Sequence, residues 1–400
     1  MNNDIAVVGA GPAGAWAAYS LARRGASVVL MDPSHPREKP CGGGVTGRAL
    51  DVVAKAIDLA GVPTVAIRSA RFTASSSDEA VEVPLEGGTL IVASRAEFDG
   101  VLLQAARRAG AEVLSTRVID VRAQTGGFRI DTMAGPRFAG FLIGADGANS
   151  LLRRRLAHPF RRDQLSIATG FFAHGVTSDE IVIELIADPP GYVWSFPRAT
   201  HLAVGICAQA DSGATAGALR HAVASWLERT GLAEGARLEP YAWPIPSLPS
   251  RDFESLELAG LHWCLVGDAA GLVDPITREG IYFALLSGQW AADAITSSGA
   301  DRSRRYADQV RDEIIVELAR AARFKAGFFR PRFTHLMIET LRQSAAIRAV
   351  MADLVAGRQD YAGLKWRLAK TLEFGPACRL VLGAMRSPRR RGHMRSAAAR

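Results

Sequence analysis

The sequence predicts an α/β protein: a parallel, dinucleotide-binding sheet assembled from separated segments, an inserted antiparallel sheet, and a helical C-terminal region. Three observations predict it. A short apolar run, Ile5 to Val8, leads into "GAGPAG" and then a helical pattern. Strand-rich, proline-punctuated sequence from Gly170 to about Pro249 separates that start from a later glycine-acid turn, "GDAAG". From Ala300 to about Ala384 the pattern is mostly helical.

The opening unit reads as strand, glycine turn, helix. Gly9 permits the tight turn, Gly11 lets the backbone approach a pyrophosphate, and Gly14 lets helix and strand pack closely. Pro12 and Ala13 begin a helix whose N-terminus carries about half a unit of positive charge. Ser27 to Met31 predicts a second strand, closed by Asp32 at the distance where a carboxylate accepts from ribose hydroxyls. An acid there repels a 2′-phosphate, so FAD or NAD, rather than NADP, is the expected resident ligand.

"EKPCGGGVTGRAL" then sets Cys41 against Gly42, Gly43 and Gly44. Glycine clusters usually mark loops. "ASRAEFDGVLLQAARRAG" predicts a helix after Arg95, and the stretch beyond it predicts strands, a turn at Gly126-Gly127, and an apolar strand ending in "GADGANS". "IVIELIADPPGYVWSFPRATHLAVGICA" predicts a hairpin with Tyr192, Trp194 and Phe196 on one face by period two, an arrangement that a plain core would also show. "HWCLVGDAAG" delivers Asp268 to a strand end, where it serves either a ligand or a helix cap, and a long helix is expected from near Gly280.

Composition narrows the classes. The chain has 400 residues, 48% of them hydrophobic, and no apolar run approaches the roughly 18 to 20 residues needed to span a bilayer. With no signal-peptide pattern at the N-terminus, a cytoplasmic protein is expected. Four widely spaced cysteines, Cys41, Cys207, Cys264 and Cys378, argue against a disulfide framework and against a metal site. The formal charge is +8, and no acid follows Glu373 while Arg386, Arg389, Arg390, Arg391, Arg395 and Arg400 accumulate. Such a tail is either solvated and disordered or docks on an anionic membrane surface, the protein then being peripheral; no nucleic-acid module accompanies the charge.

Taken together, "GAGPAG" with Asp32, "KPCGGG", Arg95 in "SRAEFD", "GADGANSLLRR", "GYVWSFPR" and "GDAAGLVDPITREGI" resemble, in order, the geranylgeranyl reductase family of FAD-dependent oxidoreductases, which shares the para-hydroxybenzoate hydroxylase fold. The resemblance covers roughly the first 290 residues. It implies a Rossmann-type FAD-binding domain from 1–70, 95–165 and 255–300. It further implies an antiparallel β substrate domain from 71–94 and 166–254, a helical region over 301–385 and a basic tail over 386–400.

It also implies FAD with its pyrophosphate on Gly9 to Gly14 and its adenosine ribose on Asp32. Arg95 and the backbone near Val118 would hold the adenine half, Asp268 the ribityl chain, and Gly280 and Ile281 the pyrimidine edge. The glycines of "PCGGG" would lie against the flavin, with Cys41 either shaping or protonating the substrate site or acting as a small spacer. Tyr192, Trp194 and Phe196 look like a substrate wall. One departure is Arg278, where the family usually carries glycine; its side chain would anchor an anionic headgroup or the flavin, or point to solvent.

The implied activity is reduction of prenyl double bonds in an isoprenoid lipid, with NAD(P)H or reduced ferredoxin, the latter an electron-donor protein, as donor. An aromatic monooxygenase is the alternative. A halogenase and a non-catalytic isoprenoid-binding flavoprotein stand behind it.

Overall fold

The computed structural model describes residues 2–75, 77–298 and 301–371. The basic tail and Cys378 lie outside the described residues.

Asn2–Val8 is the central strand of the first sheet, parallel to Val28–Met31 on one side and to Gly135–Gly144 on the other. Trp263–Leu265 extends the sheet in parallel beyond Gly135–Gly144, so the sheet unites stretches more than 100 residues apart (about 120 by sequence number). Ile5 to Val8, Val28–Met31 and Phe141 to Gly144 are buried on both faces and accordingly lack alternation. Helix Pro12–Ala22 is buried along its whole length between the sheet, helix Ile281–Thr296 and helix Arg95–Arg108. That sandwiching explains its run of Ala and Gly. At Gly288 an added Cβ would stand 2.5 Å from the Ala13 carbonyl, so the two helices touch backbone to backbone.

A second sheet runs, in spatial order, Arg237–Pro246, Leu165–His174, His201–Gln209, Pro190–Pro197, Glu180–Ala187, Ser69–Ala74 and Ser77–Pro84. It is antiparallel except where Glu180–Ala187 runs parallel to Ser69–Ala74. A three-stranded sheet, Gly44–Thr46, Leu90–Ala93 and Thr64–Ala66, stands beside it.

Within the strand-rich stretch the chain also forms helix Ala216–Thr230, which covers one face of the second sheet through Leu219, Val223, Trp226 and Leu227. The sequence reading passed over it, although those positions recur at helical spacing. With that face covered, period two sends Val193 inward to the helix and Tyr192, Trp194 and Phe196 to the other side. Helices Val316–Phe328, Pro331–Gln343, Ala345–Val355 and Tyr361–Lys370 follow, and Phe333, Met337 and Ile338 pack on the second sheet.

Candidate functional site

The three glycines of the first turn do different work. A Cβ on Gly9, whose φ is +102°, would lie 2.3 Å from the Ala145 carbonyl oxygen, and one on Gly14 would lie 1.9 Å from the carbonyl oxygen of Gly9. Both positions are closed to any side chain. Above Gly11, by contrast, only His35 Nε2 comes near, at 3.8 Å. Gly11 therefore faces open space, the cradle a pyrophosphate would fill. No side chain caps helix Pro12–Ala22 or helix Ile281–Thr296, and both N-termini open into the same cleft, the second at Gly280 and Ile281. Two partial positive charges thus open into the cleft without a side-chain cap among the described residues.

Asp32 ends its strand as expected, and its carboxylate organises the turn. Oδ2 accepts from Ala10 N and His35 Nδ1, each at 2.9 Å, while Oδ1 accepts from the backbone N–H groups of Ser34 and His35 at 2.8 Å. Burial opposes the charge, but His35 and the backbone donors win and hold the carboxyl well below the usual carboxylate range.

Arg95 is buried and bidentate to Asp99, with N–O distances of 2.9 and 2.8 Å. Burial opposes its charge, yet Asp99 and Cys41 raise its pKa above the ordinary arginine value. Lys39 comes beside it, and there burial and the Arg95 cation lower the ammonium pKa while Asp268 and Asp99 act the other way.

Cys41 lines the cleft and accepts from Gly43 N at 3.3 Å. The glycines after it are required by an aromatic ring: a Cβ on Gly42 would meet Phe196 Cγ at 2.9 Å, and one on Gly44 would meet Phe196 Cε1 at 3.2 Å. Gly43, at φ +85°, turns under the Ala93 carbonyl and Arg198. Arg198 is the residue the sequence reading missed. Fully buried, it donates to the Cys41 carbonyl at 2.5 Å and ion-pairs with Glu38, which also accepts from Ser94 Oγ at 2.5 Å and Arg95 N at 3.1 Å. One cation from the hairpin turn of the second sheet thereby fixes the glycine loop of the first unit.

The "DPITREG" turn is held just as firmly. Asp274 accepts from Ile276 N, Thr277 N and Tyr361 Oη, and Glu279 accepts from Thr46 Oγ1 at 2.6 Å and ion-pairs with Arg48. Tyr192 Oη donates to the Thr277 carbonyl at 3.1 Å, tying the hairpin to this turn.

Around these parts lies one cleft of about 1770 Å³ including its open mouth. Gly11, Pro12, Ala13, Cys41 to Gly44, Arg95, Asp268, Gly280, Ile281 and Arg278 line it, together with Tyr192, Trp194, Phe196, Trp243, Phe328 and Leu354. Gly9, Gly14 and Asp32 support the floor from behind. Val118 opens the strand Val118–Gln124, pairs with Thr132, and is not among the lining residues. No group of metal-ligating side chains occurs among the described residues.

Fold and cleft together define an FAD-dependent oxidoreductase of the para-hydroxybenzoate hydroxylase fold, and residues 2–284 match the FAD binding domain family. The chain belongs to the geranylgeranyl reductase family. A menaquinone reductase from Mycolicibacterium smegmatis is 32% identical, over 92% of this chain and 95% of its own. A geranylgeranyl diphosphate reductase from Rhodobacter capsulatus is 30% identical over 74% of this chain and 75% of its own. A geranylgeranyl bacteriochlorophyll reductase-like protein from Thermoplasma acidophilum superposes with a TM-score of 0.75 at 21% identity, covering 93% of this chain and 99% of that one. No described helix is long and apolar enough to cross a membrane.

Proposed function

We propose that the protein saturates carbon-carbon double bonds of a prenyl chain. The observation that carries this reading is the continuity of the cleft: the glycine turn and the two uncapped helix ends open directly onto an aromatic and aliphatic wall. Each buried CH₂ of a prenyl chain contributes about 0.8 kcal/mol, so such a wall holds a long lipid with few polar contacts. Reduced FAD supplies the hydride for such a reduction. Gly11 to Ala13 would receive its pyrophosphate, Arg95 and Asp268 its adenosine and ribityl parts, and Gly280 and Ile281 the electron-rich edge of the ring. Tyr192, Trp194 and Phe196 align the chain and exclude water, and Cys41, held by Arg198 through its carbonyl, faces the same space as the candidate proton holder.

The names of the relatives, which include a menaquinone reductase and a geranylgeranyl diphosphate reductase, support a prenylated substrate. The sequence carries a single strand-glycine-helix turn of the dinucleotide type, which favours a donor, NAD(P)H or reduced ferredoxin, that docks transiently. Helix Tyr361–Lys370 exposes Trp366 at 75%, with Lys370 one turn further on the same face, and an anionic membrane surface is the proposed source of the lipid.

The test is anaerobic. The dithionite-reduced protein is mixed with geranylgeranyl lipids in detergent, flavin absorbance is followed, and the lipid is weighed by mass spectrometry. Reoxidation with gain of hydrogen pairs is expected, slowed at least tenfold in Cys41→Ala. A flavin that stays reduced with every lipid, but reoxidises in air while hydroxylating an aromatic, would replace the reading with the monooxygenase.

A further inference from the structure

Arg278 lines the cleft wall, and Lys325, outside the lining, joins it through a shared serine. Arg278 occupies the turn before helix Ile281–Thr296 at φ +63°, a left-handed conformation that non-glycine residues rarely adopt. Its guanidinium lines the cleft and donates to Ser247 Oγ, leaving Nε buried without a partner. Lys325, in helix Val316–Phe328, donates to the same Ser247 Oγ and to Gln209 Oε1, each at 2.6 Å. Neither side chain makes an ion pair among the described residues.

The neutral groups they share have no capacity left. Ser247 Oγ accepts from both cations and donates its own proton to Gln209 Oε1 at 3.1 Å, while Gln209 Nε2 donates to the carbonyls of Asp163 and Ser247. Asp274, the nearby carboxylate, is turned to Ile276 N, Thr277 N and Tyr361 Oη. Burial and the Arg278 charge draw the Lys325 pKa down to about 6, with Cys207, Asp211 and Asp274 opposing, so near neutral pH its amine becomes the ammonium as an anion arrives.

We propose that Arg278, backed by Lys325 on the shared Ser247, forms an anion subsite in the cleft wall that takes the phosphate-bearing end of the prenyl substrate, an assignment that rests on the prenyl-reductase reading. A guanidinium fork beside a compact ammonium suits the several oxygens and multiple charge of a phosphate or diphosphate ester. The geometry also joins head to tail, since Tyr192 Oη is bonded to the carbonyl of Thr277, the residue before Arg278.

Binding to the oxidised, FAD-loaded full chain is measured by calorimetry with geranylgeranyl diphosphate, geranylgeraniol and inorganic pyrophosphate. The diphosphate is expected to bind at least tenfold more tightly than the alcohol. That ratio should fall towards one in Arg278→Gly, where glycine adopts the left-handed turn freely, and in Lys325→Gln, with alcohol binding retained. Equal binding of alcohol and diphosphate, or a ratio that survives both substitutions, overturns the subsite. Pyrophosphate alone binding as tightly as the prenyl ester overturns the lipid assignment in favour of free phosphate. Since no turnover is involved, a lipid bound with the expected ratio but never reduced removes the reductase reading and leaves the subsite standing.

Discussion

The end of the cleft at Gly11 comes from one turn, Gly9–Gly14, whereas the end at Phe196 is gathered from the loop Cys41 to Gly44, the hairpin Glu180–Pro197, the strand Arg237–Pro246 and the C-terminal helices. In the first, each glycine faces a fixed backbone atom or open space. In the second, Gly42 and Gly44 face the ring of Phe196, a residue more than 150 positions away (roughly that separation by number). The contrast shows one residue type meeting two kinds of constraint: backbone against backbone, which no rearrangement relieves, and backbone against a side chain, which a smaller partner would relieve.

Substitutions within the first turn should break this contrast most sharply. Gly14→Ala drives a methyl to 1.9 Å from the Gly9 carbonyl oxygen, and a loss of more than about 3 kcal/mol is expected, beyond the usual overpacking cost, seen as failure to recover folded protein. Gly11→Ala, with nothing closer than 3.8 Å, should leave the melting temperature of the cofactor-free protein within about two degrees and lose FAD affinity at least tenfold. If Gly11→Ala unfolds like Gly14→Ala, the open space above Gly11 is not a ligand cradle.

The next largest effect probes the clamp between the two ends. Arg198→Met leaves Glu38 and the Cys41 carbonyl without their buried partner, and about 3 kcal/mol of stability should be lost in denaturant unfolding. A pH profile gives an independent readout. Burial first, then the Arg198 charge, lowers the His201 pKa to about 4, with Glu38 and Glu239 opposing and His174 assisting. The folded state then binds fewer protons than the unfolded chain below the ordinary histidine value of about 6.5, so the His201 contribution is complete above that pH and is lost as pH falls toward 4. Removing the Arg198 cation should flatten this slope between about pH 6.5 and 4; an unchanged slope would separate His201 from the clamp.

The smallest effect concerns the helical region. Tyr361→Phe removes one hydrogen bond to Asp274 and should cost about 1 kcal/mol, with weaker prenyl-lipid binding if the C-terminal helices form part of the wall. A stability loss with lipid affinity unchanged would confine the substrate to the two sheets.

Legibility follows the range of the interaction. Gly9, Gly11 and Gly14 could be assigned from spacing because a strand-turn-helix is a local object, and Asp32 because it ends the next strand. The aromatic face of Tyr192, Trp194 and Phe196 was legible as a period, but which side was solvent, core or cleft depended on helix Ala216–Thr230 covering the opposite face. Arg198 carried no signal beyond standing next to Pro197; its importance comes from burial against Glu38 and Cys41. Lys325 was invisible for the reason Arg198 was.

By itself the sequence determined the dinucleotide turn with its flanking strand and helix, the long helix from near Gly280, and the glycines needing freedom from a side chain. Those properties depend on φ and ψ, hydrophobic period and excluded volume over a few residues. Only the tertiary structure decided that Phe196 dictates Gly42, that Arg198 locks the cysteine loop, and that Arg278 and Lys325 converge on Ser247. Each is a meeting of distant side chains in a low-dielectric interior, where electrostatics and packing depend on three-dimensional neighbours that no local pattern encodes.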